Sequence, residues 1–150
     1  MNDPDQIIKE LQLTPLEGEG GLWASIFRSE GASAIYFMMR DPDFSAWHRI
    51  PESETWIHLA GSPTLLYTFE KDPDQADLDG LTSRTLDNRA GNYLYTVKPL
   101  TWMAAKPLGD WSLLVCTLAP AFTAMELASK EDVMRWASIY PKEIGELCHG

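Results

Sequence analysis

Residues 47–61 read Trp47-His48-Arg49-Ile50-Pro51-Glu52-Ser53-Glu54-Thr55-Trp56-Ile57-His58-Leu59-Ala60-Gly61. Two runs rich in β-branched and aromatic residues flank a turn at Pro51 to Ser53, the pattern of a strand pair. Side chains alternate across a strand, so Glu54, Trp56 and His58 share one face of the second run. If the first run presents His48 to that face, two imidazoles and a carboxylate converge among aromatics. That is the make-up of a small-molecule site or of a general acid/base pair. A barrel interior whose polar groups merely satisfy one another fits the same spacing. Glu is seldom buried without a purpose, and the two readings stand level.

The pattern of this segment continues in both directions. Short strand-like runs recur at 22–28, 34–40, 44–50, 54–60, 64–70, 81–86, 93–98, 101–105 and 111–119. Turn chemistry separates them: Gly31-Ala32-Ser33, Asp41-Pro42-Asp43, Gly61-Ser62-Pro63, Asp72-Pro73-Asp74, Asn88 to Asn92, and Leu108-Gly109-Asp110. Many short strands at near-regular spacing predict an all-β antiparallel sandwich or barrel rather than a parallel sheet. Helical texture is confined to the ends. Asp3 or Asp5 can cap a helix over 5–13, with Pro4 at its entry and Ile7, Ile8 and Leu11 on one face. Ser129 can cap a second over 130–140, where Val133, Trp136 and Ala137 share a face and Pro141 ends it. The glycines Gly18, Gly20 and Gly21 mark a turn or a close backbone approach. No repeat or linker interrupts the chain, so one domain over 1–150 is expected.

Composition bounds the function. The chain has 150 residues, is 45% hydrophobic, and carries 12 Lys plus Arg against 22 Asp plus Glu, a formal net charge of −10. Such a field repels phosphate backbones and anionic lipid, so neither nucleic acid nor a membrane is an expected partner. No apolar run reaches the length of a spanning helix, and the acidic N-terminus carries no secretory signal pattern. The two cysteines, Cys116 and Cys148, match no metal or redox spacing; Cys116, in an apolar run, reads as a buried inert thiol. A reducing cytoplasm is the expected setting. Asp72, Asp74, Asp77 and Asp79 lack the glycine and terminal glutamate of a calcium loop and read as a solvated hairpin loop.

Several pieces, in order, resemble the small cupin family long catalogued as a domain of unknown function, related in fold to the dTDP-sugar epimerases. Glu19-Gly20-Gly21 is similar to the end of its His-Pro-Glu-Gly-Gly signature, and Ile35-Tyr36-Phe37 to its Ile-Tyr-Phe strand. Trp47-His48-Arg49 and Glu54-Thr55-Trp56, with Gly61 following, resemble its His-Arg and Glu-x-Trp elements. Val97-Lys98-Pro99 through Trp102 resembles its Val-Pro-x-x-x-Trp. Leu114-Val115-Cys116-Thr117 with Ala119-Pro120-Ala121-Phe122 resembles its Val-x-Cys-Thr-Val-x-Pro-Gly-Phe. The resemblance implies a double-stranded β-helix, or jelly-roll barrel, with short terminal helices. It also implies a homodimer joined through its sheets.

The departures carry equal weight. A metal-binding cupin supplies three His and one Glu, whereas Ala46 or a neighbour stands at the first histidine's place and the second motif's histidine falls near Ala104. His48 and Glu54, with His58 outside the motif, are too few for a firmly held metal, so no metal and no cofactor are expected. The signature's own histidine is missing, and Ala121 replaces a glycine. His48 and Glu54 are then the candidate catalytic pair, with Tyr36, Trp56, His58 and Trp102 as candidate ligand-binding residues; Trp23, Trp111 and Trp136 read as packing. The expected function is binding of a small, carbohydrate-like molecule in the barrel, with isomerase, epimerase or lyase chemistry. A non-catalytic sensor is the first alternative and a metal-dependent oxidoreductase the second. Apolar residues on both faces of single strands, as in Leu65-Leu66-Tyr67 and Leu113-Leu114-Val115, add to the case for self-association.

Overall fold

The computed structural model describes residues 3–75 and 79–150. Helix α1 (Pro4–Leu11) begins where Asp3 accepts a hydrogen bond from the Asp5 N–H at 2.9 Å, with Pro4 in the first turn. It ends at Gln12, which adopts the left-handed conformation with φ 57° and hands the backbone carbonyls of Ile8 and Lys9 a donor.

Eleven strands follow among the described residues. The first sheet contains β1 (Thr14–Pro15), β2 (Leu22–Arg28), β3 (Ser33–Arg40), β5 (Ser53–Gly61), β8 (Leu94–Val97) and β10 (Trp111–Ala119), in the order β1-β2-β3-β10-β5-β8. The second contains β4 (Ser45–Arg49), β6 (Thr64–Phe69), β7 (Leu81–Leu86), β9 (Met103–Pro107) and β11 (Glu126–Leu127), in the order β11-β4-β9-β6-β7. The pairings are antiparallel. Consecutive strands such as β4 and β5 lie in opposite sheets, so the turn at Pro51 to Ser53 crosses between layers instead of closing a hairpin. Two facing antiparallel sheets linked in this way form the expected jelly-roll barrel.

Both faces of the sheets are used. Phe37, Met39, Trp56, Leu66, Met103, Ala105, Leu114 and Cys116 meet in the interior between the sheets. Outside the first sheet, Met38, Trp111 and Leu113 pack with Tyr36 beneath Ile7, Ile8 and Leu11 of α1. Outside the second, Trp47, Tyr67, Phe69 and Trp102 pack with Val133 and Trp136 of α2 (Lys130–Ala137) and with Tyr140 and Ile144 beyond it. Ser129 caps α2 by accepting from the Asp132 N–H at 3.0 Å. Trp47 and Trp136 are each 1% exposed; sealing a side chain of that kind contributes roughly 1.5–3 kcal/mol. The strands are therefore apolar on both faces because the chain's own helices cover the outer ones. That covering accounts for Leu65-Leu66-Tyr67 and Leu113-Leu114-Val115 without a second copy.

The acidic loop has a structural task. Asp74 accepts hydrogen bonds from Arg135 at 2.7 Å and from the Trp136 indole at 3.0 Å, tying the loop to α2. Those donors hold its carboxyl below the usual aspartate range. Asp77 lies outside the described residues. No helix among the described residues is long and apolar enough to cross a membrane.

Candidate functional site

One end of the interior gathers Glu19, Ser45, His48 and Glu54, each 7% exposed or less. Three separate local devices bring them together.

The first is a β-bulge. Ser45 lies opposite Ala105 and His48 opposite Met103, so three steps along β4 match two along β9. Opposed residues of an antiparallel pair share a face, and Met103 and Ala105 both face the interior. Ser45 and His48 therefore both turn inward, whereas an offset of three in a regular strand would separate them. Trp47 is sent outward to α2.

The second is the glycine loop before β2. The Glu19 carbonyl accepts from the Ala46 N–H at 2.8 Å, and Gly20 donates to the Leu16 carbonyl at 3.0 Å. The Gly21 N–H donates to the Asp43 carboxylate at 2.8 Å. Gly20 has φ +97°, and a Cβ there would collide with the Phe44 carbonyl and the His149 ring. Only glycine lets the loop come this close, and the closeness delivers Glu19 to the barrel end.

The third is the alternation of β5. Glu54 and Trp56 face inward, opposite Leu118 and Cys116 of β10. The Trp56 indole donates to Glu54 at 3.1 Å, and Phe37 meets the Trp56 ring edge-on, 6.0 Å between centroids.

The electrostatics follow from burial. His48 Nδ1 lies 2.7 Å from the Ala46 carbonyl oxygen, which can only accept, so Nδ1 carries the proton. In its neutral form His48 presents a bare Nε2, 3.8 Å from Glu19 Oε2 and beyond hydrogen-bond reach of it. The Glu19 carboxylate accepts from the Ser45 hydroxyl at 2.6 Å. Burial pushes the Glu54 carboxyl up to about 8; the negative charge of Glu19 adds to the rise and the Trp56 hydrogen bond opposes it. Burial, with Glu54 and Glu19, also lifts the Cys116 thiol well above its usual range, so it stays protonated and unreactive.

The expected residues divide. His48, Glu54 and Trp56 meet in the interior. His58 shares the inward face of β5 but stands four residues along, roughly 13 Å from Glu54 at strand rise. There its Nδ1 accepts from the Asn88 N–H at 3.1 Å and its Nε2 donates to the Ser62 carbonyl at 2.8 Å. Tyr36 and Trp102, expected at the barrel mouth, point away from it. Tyr36 packs under α1, and Trp102 lies between Arg49, 4.5 Å from its ring centroid, and Trp136. Glu19 is the residue that sequence reasoning missed: it stood inside the glycine signature, but a loop residue carries no face.

The same end holds Glu52, 7% exposed, whose Oε2 accepts from Thr123 at 2.7 Å while its Oε1 has no partner. Leu16, Phe122 and Met125 pack over the interior core. The segment carrying Phe122 is pinned by the Phe122 N–H to Ser33 and by Thr123 to Glu52. Surface clefts of about 290, 530 and 560 Å³ are lined by residues other than Glu19, Ser45, His48 and Glu54.

The donors do not fit a cupin metal. Among the described residues no group of three or more His, Cys, Asp or Glu is placed to hold one. The inward residues of β9 are Met103 and Ala105, and Glu54 retains its proton near neutrality.

The family model described as Cupin superfamily (DUF985) matches residues 5–128. Protein SO0799 from Shewanella oneidensis is similar at 29% identity and TM-score 0.79, covering 99% of this chain and 98% of that one. A hypothetical protein from Leishmania major is similar at 24% identity and TM-score 0.81, covering 99% and 100%. The DMSP lyase DddQ from Ruegeria pomeroyi shares the fold at 16% identity and TM-score 0.55, over 71% of this chain and 50% of that one. No curated protein matches the chain significantly.

Proposed function

Since the chain belongs to the cupin superfamily grouped as DUF985, we propose that its barrel binds a small hydroxylated molecule and moves a proton on it, as an isomerase, epimerase or lyase does. The observation that carries this is the pairing of a bare imidazole nitrogen on His48 with a carboxyl on Glu54 that keeps its proton near pH 7. A base and an acid held at one place are what enolisation needs. His48 Nε2 takes the proton from a carbon beside a carbonyl, and the C–H electron pair moves into the carbonyl. The Glu54 carboxyl protonates the oxygen that gains charge. Glu19 stabilises the imidazolium that results, and Trp56 orients Glu54. Delivery of the imidazolium proton to carbon, with the enol O–H proton passing back to the Glu54 carboxylate as the carbonyl reforms, restores both groups.

Dye-monitored melting against a panel of hexoses, pentoses and their keto forms, followed by product analysis, tests this reading. His48→Ala and Glu54→Gln are expected to fold and to lose both the ligand-induced rise in Tm and turnover. Two variants that bind a confirmed ligand like the parent would exclude the assignment. A sensor would use the same residues without turnover: retention of the ligand unchanged after long incubation separates it from an enzyme.

We also propose a homodimer. Only Leu22 and Trp23 of β2 pair with β1, which leaves the edge from Ala24 to Arg28 open, with Ile26 40% and Phe27 50% exposed. An open apolar edge of this kind is a template for a second chain. Light scattering after size exclusion should give twice the chain mass for the parent and the chain mass for Phe27→Glu; a monomeric parent at micromolar concentration ends the proposal.

A further inference from the structure

Among the described residues, the buried acids of the barrel have no buried Lys or Arg counterpart. Glu19, Glu52 and Glu54 are 5–7% exposed, whereas none of the 12 Lys and Arg side chains is buried. Arg49, the basic residue next to His48 in sequence, turns outward to Glu126 at 2.8 Å and to the Trp102 ring. The two polar atoms that face each other beside the protonated Glu54 carboxyl, His48 Nε2 and Glu19 Oε2, are acceptors when His48 is neutral. His48 is 1% exposed, its Nε2 makes no hydrogen bond among the described residues, and Glu19 Oε2 faces it across 3.8 Å. One donor atom at hydrogen-bond distance from each can span that separation. An anion has no proton to give to either acceptor, a hydroxyl has one, and an ammonium has three.

We infer that the interior site takes a small cationic group, an ammonium above all, ahead of a neutral hydroxyl, and excludes carboxylates and phosphates. This rests on the reading that the Glu19, His48 and Glu54 cluster is the ligand site. An anion entering there meets the Glu19 carboxylate in a desolvated setting with no buried Lys or Arg to offset it. An ammonium meets Glu19 directly and gives Glu54 a reason to ionise, turning a buried neutral acid into half of an ion pair. Trp56 and Phe37 add aromatic walls that tolerate a cation. The net charge of −10 acts at longer range in the same sense. The substrate class is therefore an amino-bearing polyol or sugar rather than a sugar phosphate or a sugar acid.

The test uses the whole chain and three small probes at equal ionic strength: methylammonium, methanol and formate. Infrared difference titration follows the protonated carboxyl of Glu54, assigned by its loss in Glu54→Gln; Glu19, Glu52, His48 and Cys116 are the other buried titratable groups at this end. Methylammonium should lower the pH at which Glu54 loses its proton by about one unit, methanol should leave it in place, and formate should leave it or raise it. Glu19→Gln should abolish the methylammonium effect; should that variant fail to fold, His48→Gln should weaken it. No shift with methylammonium, or protection by formate that depends on His48, overturns the inference. A sugar phosphate bound more tightly than its amino analogue, and lost in His48→Ala, would overturn it while sustaining the site. A methylammonium effect with no sugar bound or altered would sustain the charge preference and sink the proton-transfer reading.

Discussion

Two histidines of this barrel are buried almost equally, His48 at 1% and His58 at 3% exposed, and they do opposite things. His58 has both ring nitrogens engaged by backbone, one accepting from Asn88 and one donating to Ser62. It joins the end of β5 to the turns after β5 and β7. His48 has one nitrogen engaged and one bare, facing a carboxylate too far away to bond. Burial alone does not distinguish a structural imidazole from a reactive one; the count of satisfied nitrogens does.

The sharpest way to break that contrast is truncation. His58→Ala strands the Ser62 carbonyl and the Asn88 N–H and opens a cavity, and should cost about 3–5 kcal/mol. His48→Ala opens a comparable cavity but strands only the Ala46 carbonyl, and should cost about 2–4 kcal/mol. Urea unfolding measures both. A His48 variant as damaged as the His58 variant would make His48 a structural residue.

Glu54 sharpens the comparison through pH. Its carboxyl titrates near 8 when folded and near 4.5 when the chain is open. Above about pH 4.5 the unfolded chain releases this proton while the folded chain keeps it, so stability falls as pH rises toward 8 and levels off beyond. Glu54→Gln removes that loss. The variant should gain on the parent by about 3 kcal/mol between roughly pH 5 and pH 8, read from urea midpoints across the range. An offset between the two that does not change with pH would mean that Glu54 is ionised at neutrality, and the acid in the proposed chemistry would be gone.

These residues also show where sequence reading stops. Turn chemistry and short β-branched runs marked out the barrel, and strand alternation put Glu54 and Trp56 inward together. Alternation was silent about depth, so His58, on the correct face, was grouped with a carboxylate roughly 13 Å away. It failed for Tyr36, because Ser33–Arg40 is apolar on both faces and neither face declares itself until α1 is seen to cover one. Trp102, just ahead of β9, was carried outward to Trp136 for the same reason on the second sheet. The bulge at Ala46-Trp47 leaves no mark in a sequence, yet it alone turns Ser45 and His48 to the same side. Glu19 was hidden differently. Its neighbours Gly20 and Gly21 were read as a turn or a close approach; the structure shows a close approach, and what approaches is set by contacts with Phe44 and Phe37 far along the chain.

That loop supplies the smallest and most local test. Gly20 and Gly31 both lie in turns, and only one of them serves the site. At Gly20, φ +97° is strained for any residue with a side chain, and the added carbon meets backbone of the strand entry at Phe44. At Gly31 nothing lies within 4 Å of the added carbon. Gly20→Ala should cost about 1–3 kcal/mol, whereas Gly31→Ala should stay within about 0.5 kcal/mol of the parent. The more telling readout is Glu54. If the loop retreats to make room, Glu19 withdraws with it and its negative charge no longer raises the Glu54 titration, which should move down from about 8. Movement of that titration in Gly20→Ala and none in Gly31→Ala ties the glycine turn to the chemistry of the barrel end. Equal titrations in both would mean that the loop holds the fold together and that Glu19 does not reach into the site.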